Sequence, residues 1–251
     1  MNLLHAIVMG ILQGLTEFLP VSSSGHLVLF TRITGIESNL FFDLFLHLAT
    51  LFAVVIQFRR QVLSVIKKPF SPFSLKLILA TSISVILAFV FKDGVSQNFE
   101  GKTLAFTFLL TAILLTVSHY FAKTPTHVPS YFDSIVIGIA QGLAVFPGLS
   151  RSGTTVSTGK LLGVDEEQNT SFCFLLSIPI IIGGTALELI EGTATVISPL
   201  YLFAGFICAF VSGLIALRFI KNAFKNSRFF AIYLVVLSLF LTINDCFLHI
   251  F

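Results

Sequence analysis

The sequence predicts an all-α polytopic membrane protein with six transmembrane helices and two re-entrant helix–loop–helix hairpins, arranged as an inverted-topology internal repeat. Three observations support this class. The 251 residues are 55% hydrophobic and only 11% charged, whereas a soluble domain has about 25% charged residues. Six apolar stretches are long enough to cross a bilayer, which takes about 20 helical residues. One motif also occurs twice, 128 residues apart.

The six predicted spans are separated by segments that hold most of the prolines, glycines and charges. The spans are approximately Leu40–Phe58, Ser74–Phe91, Thr103–Phe121, Ser171–Ile190, Pro199–Ile220 and Phe229–Leu248. Pro179 and the pair Gly183–Gly184 are predicted to interrupt the fourth span, where neighbouring helices can bind the freed backbone groups.

The repeated motif occupies Gly10–His26 and Gly138–Thr154, and nine of the seventeen aligned positions are identical. In each copy a polar Pro/Gly/Ser segment breaks an apolar arm that is too short to span. This pattern is typical of a re-entrant hairpin, which is tolerated at membrane depth where protein or water surrounds it. Two surface loops at helix ends are the alternative. The sequence predicts one integral membrane domain, 1–251, with repeat units of about 1–121 and 129–251.

Each repeat unit contains one hairpin and three spans. Because three is odd, the second unit enters the membrane from the opposite side, as in the inverted repeats of transporters. The two hairpin tips are therefore expected to meet near the midplane, with both chain termini outside. The positive-inside rule sets this orientation. The predicted cytoplasmic loops contain Arg59, Arg60, Lys67, Lys68, Lys123, Arg218, Lys221, Lys225 and Arg228.

The first copy, QGLTEFLPVSSSGH, contains a carboxylate inside an apolar arm. Gln13 and Glu17 are four residues apart and share one helix face. A carboxylate in a membrane segment indicates a functional site by default. Glu17 could ligate a divalent cation or orient a histidine, and a structural ion pair with Arg151 is the alternative.

The serines and the histidine of the first copy are residues that can bind a phosphate group or take part in its transfer. Ser22, Ser23, Ser24 and Gly25 can present hydroxyls and backbone amides to a phosphate group. His26 can act as a general base, a general acid or a nucleophile. His47, His119 and His249 lack such neighbours in the sequence and are interpreted as structural.

The second copy, QGLAVFPGLSRSGT, has Arg151 where the first copy has Ser23. An arginine held by a Gly/Ser turn in apolar surroundings favours an anion such as phosphate, although an internal Arg–Glu pair is again the alternative. The combined pocket suits a ligand with a phosphate head and an apolar tail. These residues alone do not decide whether that ligand is hydrolysed or moved.

Both motifs resemble the signature motifs of the bacterial undecaprenyl-diphosphate phosphatase family, also called bacitracin-resistance proteins. The first family motif is Glu or Gln, three residues, then Glu, and Gln13 and Glu17 match it. The second motif, PGxSRSxxT, is matched by Pro147, Gly148, Ser150, Arg151, Ser152 and Thr155. The likeness covers essentially the whole chain.

The resemblance implies a hydrolase that removes the terminal phosphate of the C55 isoprenoid diphosphate. The product, undecaprenyl phosphate, is the recycled lipid carrier for peptidoglycan synthesis, and the activity lowers sensitivity to bacitracin. The resemblance also implies a divalent cation, Mg²⁺ or Ca²⁺, and a site that opens to the periplasmic side of the cytoplasmic (inner) membrane.

By the same resemblance, Glu17 orients His26 or binds the metal with Gln13, and Arg151 holds the diphosphate. The expected nucleophile is Ser23, with His26 as its base, and direct attack by His26 or by water is the alternative. Because Gln13 stands where the family also allows glutamate, we expect weaker metal affinity or a water in that coordination position. The other expected substrate contacts are Gln13, Ser22, Ser24, Gly25, Ser150, Ser152, Gly153, Thr154 and Thr155.

The main alternative function is a transporter that flips undecaprenyl phosphate, because paired re-entrant hairpins in an inverted repeat are also a transporter architecture. The expected partners are the polyprenyl diphosphate substrate, the membrane and, as an alternative to a monomer, a second copy of the chain in a homodimer. The net charge of +3 is small and no basic patch indicates nucleic-acid binding.

Overall fold

The computed structural model describes residues 1–36, 39–91, 103–191, 197–248 and 250. Those residues form eleven α-helices and no strand. In chain order the helices are α1 Leu3–Phe18, α2 Ser23–Thr34, α3 Leu40–Gln57, α4 Arg59–Lys67, α5 Pro72–Val90, α6 Leu104–Phe121, α7 Tyr131–Leu143, α8 Arg151–Leu162, α9 Glu166–Glu191, α10 Pro199–Lys225 and α11 Ser227–Ile243, followed by a π-helical turn at Asn244–Leu248. His249, interpreted above as structural, lies outside the described residues.

Six helices, α3, α5, α6, α9, α10 and α11, are long and apolar enough to cross a membrane, so the six predicted spans are confirmed. The predicted break in the fourth span is wrong, because α9 is one unbroken helix of 26 residues that includes Pro179. Proline removes one backbone hydrogen bond from a helix interior. The carbonyl left without its helical donor is that of Leu175, and one residue further on Gln141 Nε2 of α7 donates to the Leu176 carbonyl at 3.3 Å.

The basic segment after the first span is expected from the sequence to be an irregular connection between spans. In the structure it forms the short helix α4. None of its residues is buried. Leu63 and Ile66 are 51% and 69% exposed on the same helix as Arg59, Arg60 and Lys67. Basic and apolar side chains on one exposed helix are typical of a helix that lies in the membrane interface.

The first helices of the two motif copies, α1 and α7, begin at equivalent positions, although α7 ends three residues earlier, and the second helices, α2 and α8, match at both ends. α1 has 16 residues and α7 has 13, which gives lengths of about 24 Å and 20 Å, shorter than the roughly 30 Å hydrocarbon core. The hydroxyls of Ser22 and Ser150 cap α2 and α8, and Gly35 and Gly163 end these helices in the left-handed conformation. The recurrence of these caps 128 residues apart extends the repeat from sequence to local structure.

The short helices α1 and α7 pack closely against helices from the other half of the chain, α10 and α5. Each motif copy has two glycines four residues apart in its first helix, and these glycines allow the close approach. They are Gly10 and Gly14 in α1 and Gly138 and Gly142 in α7. A Cβ atom at Gly14 would overlap Ser212 Oγ and the Ala209 carbonyl oxygen, and one at Gly138 would lie 2.7 Å from the Ala80 carbonyl oxygen. Small residues four apart are a common device for close helix contact in membranes.

Replacing Gly14 with leucine should therefore destabilise the fold by about 3 kcal/mol, at the upper end for overpacking, because backbone atoms of α10 occupy the space beside it. The measurement is the Tm of the purified protein in detergent. Gly183→Leu is the matched control, because no described atom lies within 4 Å of a Cβ at that helical glycine. Equal Tm values for the two variants would contradict the packing argument.

Candidate active site

The two loops that break the motif copies are in direct contact. The Gly148 backbone N–H of the second loop donates to Ser22 Oγ of the first at 3.1 Å. Ser152 Oγ donates to the Leu19 carbonyl at 3.1 Å, and Thr107 Oγ1 on α6 donates to the Pro147 carbonyl at 2.7 Å. The loops that the sequence places 128 residues apart thus meet and are held from α6.

Ser22 links the loops through an unusual backbone conformation. Its φ is 69°, and the other described residues with a positive φ are all glycines. Such a conformation costs about 1–3 kcal/mol and persists where surrounding contacts over-determine it. The Ser22 hydroxyl supplies these contacts, accepting from the N–H groups of Gly25 at 3.3 Å and Gly148 at 3.1 Å. The strained turn directs the following residue, Ser23, toward Glu17.

Glu17 is the centre of the site. Its Oε2 atom accepts hydrogen bonds from Ser23 Oγ at 2.5 Å and from Gln13 Nε2 at 3.0 Å. Its Oε1 atom pairs with the Arg151 guanidinium. The Glu17 side chain is 3% exposed and that of Arg151 is 20% exposed, so the carboxylate is buried while the guanidinium reaches the cavity. The first and second motif copies therefore meet through a carboxylate, a hydroxyl and a guanidinium.

Glu17 and its partners Gln13, Ser23 and Arg151 form a polar cluster. His47, interpreted from the sequence as structural, also belongs to this cluster. Its Nε2 lies 3.6 Å from Glu17 Oε2, beyond hydrogen-bond distance. Its Nδ1 lies 2.8 Å from the Asp43 carbonyl oxygen, and because a carbonyl only accepts, Nδ1 carries the hydrogen. The sequence signal that could have found His47 is an ionisable side chain inside an apolar span, which by itself indicates function.

His26 lies outside the cluster. Its Nδ1 is 2.7 Å from the Ser22 carbonyl oxygen and its Nε2 is 2.7 Å from Tyr233 Oη. The ring also stacks on Tyr233 and meets the edge of Phe108. Both ring nitrogens therefore have partners other than Ser23, and a role of His26 as its base stays a prediction. Tyr233 on α11 has no local sequence signal that connects it to His26, which lies 207 residues away.

The cluster opens into a cavity of about 260 Å³. Six of the predicted site residues line it: Glu17, Ser22, Ser23, Ser24, Ser150 and Arg151. His47 and the apolar side chains of α3, the second loop and α9 line the rest of the cavity. The remaining predicted site residues are not part of the lining: Gln13, Gly25, His26, Ser152, Gly153, Thr154 and Thr155.

The hydroxyls of the second motif mostly bind their own turn. Ser150 Oγ accepts from the Gly153 N–H at 3.0 Å, and Thr155 Oγ1 donates to the Arg151 carbonyl at 2.9 Å. Thr154 Oγ1 is buried and has no hydrogen-bond partner in the described part of the chain. These contacts fix the first turn of α8 and so the position of Arg151. Their assignment as substrate contacts stays a prediction.

The chain was compared with known protein families and proteins. The family model described as bacitracin resistance protein BacA matches residues 6–240. A protein of Carboxydothermus hydrogenoformans named undecaprenyl-diphosphatase is 37% identical, covering 95% of each chain. A protein of the same name from Christiangramia forsetii is 39% identical, covering 95% of this chain and 97% of the relative.

A third relative, also named undecaprenyl-diphosphatase, comes from Thermosipho africanus and is 35% identical over 94% of this chain and 98% of its own. The family match spans both motif copies and all six apolar helices except the end of the last one. The chain therefore belongs to the bacitracin resistance protein BacA family and is an integral membrane protein.

Proposed function

We propose that this protein hydrolyses the phosphoanhydride bond of undecaprenyl diphosphate, forming undecaprenyl phosphate and inorganic phosphate. The observation that carries the proposal is the meeting of Ser23, Glu17 and Arg151 at one cavity in a chain whose relatives are named undecaprenyl-diphosphatase. The reaction returns the lipid carrier to cell-wall synthesis. It also lowers bacitracin sensitivity, in keeping with the family description.

Ser23 is the proposed nucleophile. Its hydroxyl donates a hydrogen bond to Glu17 Oε2, with 2.5 Å between Oγ and Oε2. The carboxylate can therefore take the proton while Oγ attacks the terminal phosphorus. The bond between that phosphorus and the bridging oxygen breaks, and undecaprenyl phosphate leaves. Water then cleaves the phosphoserine, which releases inorganic phosphate and restores Ser23.

Arg151 is the proposed clamp for the diphosphate. Its guanidinium pairs with Glu17 and also lines the cavity, so it neutralises the buried carboxylate from a position that a phosphate group could reach. Phosphate oxygens offer the guanidinium a bidentate, doubly charged partner. A fixed cation beside the phosphorus stabilises the charge that develops in phosphoryl transfer, where positioning and electrostatics supply most of the catalysis.

A divalent cation fits the residues beside Glu17. Gln13 Oε1 is buried without a hydrogen-bond partner in the described chain, and amide and carboxylate oxygens are ligands that Mg²⁺ and Ca²⁺ take. No group of three or more His, Cys, Asp or Glu side chains in the described residues could hold a metal. Gln13 and Glu17 would therefore hold the ion together with the diphosphate. When bound, the ion supplies neutralisation of phosphate charge.

His26 is proposed as a positioning residue rather than the partner of Ser23. Its contacts with the Ser22 carbonyl and Tyr233 Oη connect the first loop to α11. The nucleophile follows Ser22 directly in the chain. Loss of the imidazole would therefore release the turn that aims Ser23 and would lower turnover without any direct proton transfer by His26.

The proposed membrane arrangement is an inverted repeat. The short helices α1 and α7, with the helices that follow them, would be re-entrant hairpins that enter from opposite sides of the cytoplasmic (inner) membrane. Their lengths, the recurring caps and the contact between their loops support this arrangement. With the basic residues of α4 and of the end of α10 on the cytoplasmic side, the cavity would open toward the periplasm.

Phosphate release from undecaprenyl diphosphate by the purified protein in detergent tests the function. We expect turnover in the presence of Mg²⁺ or Ca²⁺ and its loss with a chelator, because the residues beside Glu17 leave the diphosphate charge incompletely neutralised. Restoration by added cation is the control. A protein that releases no phosphate but moves undecaprenyl phosphate across vesicles would be a transporter and would overturn the proposal.

A further inference from the structure

The cavity has two kinds of wall. Glu17, Ser23 and Arg151 lie on the polar wall described above. The other wall is apolar and combines α3, the second loop and α9. Its lining residues are Leu44, Ala144, Val145, Leu149, Ile180, Ile181 and Gly184.

Gly184 is a helical glycine that packing within the chain does not explain. Nine of the other glycines in described helices would bring an added Cβ to 3.0 Å or closer to a protein atom. At Gly183 and Gly184 no described atom lies within 4 Å of an added Cβ. Glycine weakens a helix interior relative to alanine, so the open space beside Gly184 has a cost in helix stability without a packing gain from the rest of the chain.

We propose that Gly184 leaves room for the first isoprene units of the lipid tail, at the point where the tail leaves the diphosphate and crosses α9. This inference rests on the proposed function, because it extends the site that holds the diphosphate. The tail must run from the polar wall to the membrane, and the apolar wall is continuous with the polar one in a single cavity. Leu187, three residues further along α9 and therefore on the same helix face, is 38% exposed and continues the apolar surface.

The contribution of this subsite is steric. A tail that moves from lipid to an apolar wall gains little from the hydrophobic effect, because lipid is as apolar as the wall. What the wall provides is space and van der Waals contact along a defined path. Filling that space should therefore hinder the binding of the tailed substrate and leave the chemistry at Ser23 unchanged.

Gly183 provides the matched control. It is adjacent in α9, exposed and equally free of neighbouring described atoms, but it does not line the cavity. A contact with a second copy of the chain is the other common use of small residues on a membrane helix. Because adjacent residues of a helix point about 100° apart, the oligomeric state of both variants is measured as well, and a rise of KM in Gly184→Leu that accompanies dissociation of a dimer would indicate such a contact and overturn the inference.

The experiment compares Gly184→Leu with Gly183→Leu in the purified full-length protein, using undecaprenyl diphosphate and inorganic phosphate as product inhibitor. For Gly184→Leu we expect KM to rise about tenfold or more, the range for added methylenes in an apolar pocket. The kcat and the inhibition constant of inorganic phosphate should stay within about threefold of wild type, as should all constants of Gly183→Leu.

Three results would overturn the inference. They are an unchanged KM in Gly184→Leu, a parallel rise in the inhibition constant of phosphate, and a rise of KM in Gly184→Leu accompanied by dissociation of a dimer. Phosphate release by the wild-type protein is measured first. If the proposed function is wrong, the wild type shows no turnover, and this result is distinct from a failure of the tail subsite. Gly184→Ala should give an intermediate KM, since its side chain fills less of the space.

Discussion

Arg151→Ala should lower kcat/KM for undecaprenyl diphosphate by about 10³-fold or more, the scale of an arginine that stabilises a transferring phosphoryl group. The guanidinium contacts Glu17 and reaches the cavity, so the variant loses the fixed cation that the diphosphate would meet. Arg151→Lys should recover only part of this loss, because an ammonium cannot make the bidentate contact. Phosphate release in detergent measures the effect.

The same variant also leaves Glu17 buried without its cation. Breaking a buried ion pair in this way typically costs about 3–5 kcal/mol of stability, so a loss of activity could reflect a damaged fold. The double variant Glu17→Gln/Arg151→Ala removes both charges and should restore much of the Tm while remaining inactive. If the pair is purely structural, this double variant will hydrolyse at a near-normal rate, and near-normal turnover by Arg151→Ala alone would also contradict the clamp.

The six spans could be predicted because they depend on a local pattern, and the contact between the two loops could be predicted from the repeated motif and the odd number of spans in each repeat unit. Apolar length alone identifies a membrane helix, and a motif repeated 128 residues apart indicates two similar turns. The caps Ser22 and Ser150 act on N–H groups three residues away, so their effect is contained in the motif. Once each hairpin forms, the Ser22 hydroxyl needs only the N–H of Gly148 to join the loops.

The contacts that the sequence could not predict are those between helices far apart in the chain. His47 meets Glu17 because α3 packs against α1, and His26 meets Tyr233 across 207 residues. Neither pairing has a signature in local spacing. Gln141 of α7 likewise donates to the Leu176 carbonyl of α9 across 35 residues, a contact without a local signature. The unbroken α9 shows that one proline does not end a 26-residue helix here.

The two motif copies share a backbone design but differ at the aligned positions of Ser23 and Arg151. Each residue begins the second helix of its hairpin, α2 or α8, directly after a capping serine. The equivalent positions therefore both point to Glu17, one with a hydroxyl and one with a guanidinium. Because the loops meet, divergence at one aligned position places a hydroxyl and a guanidinium around one carboxylate.

Ser23→Ala should reduce turnover by about 10³-fold or more, because loss of a nucleophile removes the covalent route and leaves only binding and electrostatic catalysis. Thr16→Val is the matched control: Thr16 also lines the cavity, and its hydroxyl donates to the Leu12 carbonyl at 2.6 Å rather than to Glu17. We expect it to retain turnover within about threefold of wild type. The control should keep the wild-type Tm, whereas Ser23→Ala should cost about 1–3 kcal/mol of stability, because it removes a hydrogen bond to the buried Glu17 carboxylate.

Trapping the intermediate decides among the three candidate nucleophiles. Rapid acid quench of wild type with substrate labelled in the terminal phosphate should give a phosphoserine that peptide mapping assigns to Ser23. A phosphoryl group on His26 would instead mean that the imidazole leaves Tyr233 Oη, its partner at 2.7 Å, and attacks directly. If no phosphoenzyme forms and Ser23→Ala retains substantial turnover, water is the nucleophile and the 2.5 Å contact of Ser23 with Glu17 only positions the carboxylate.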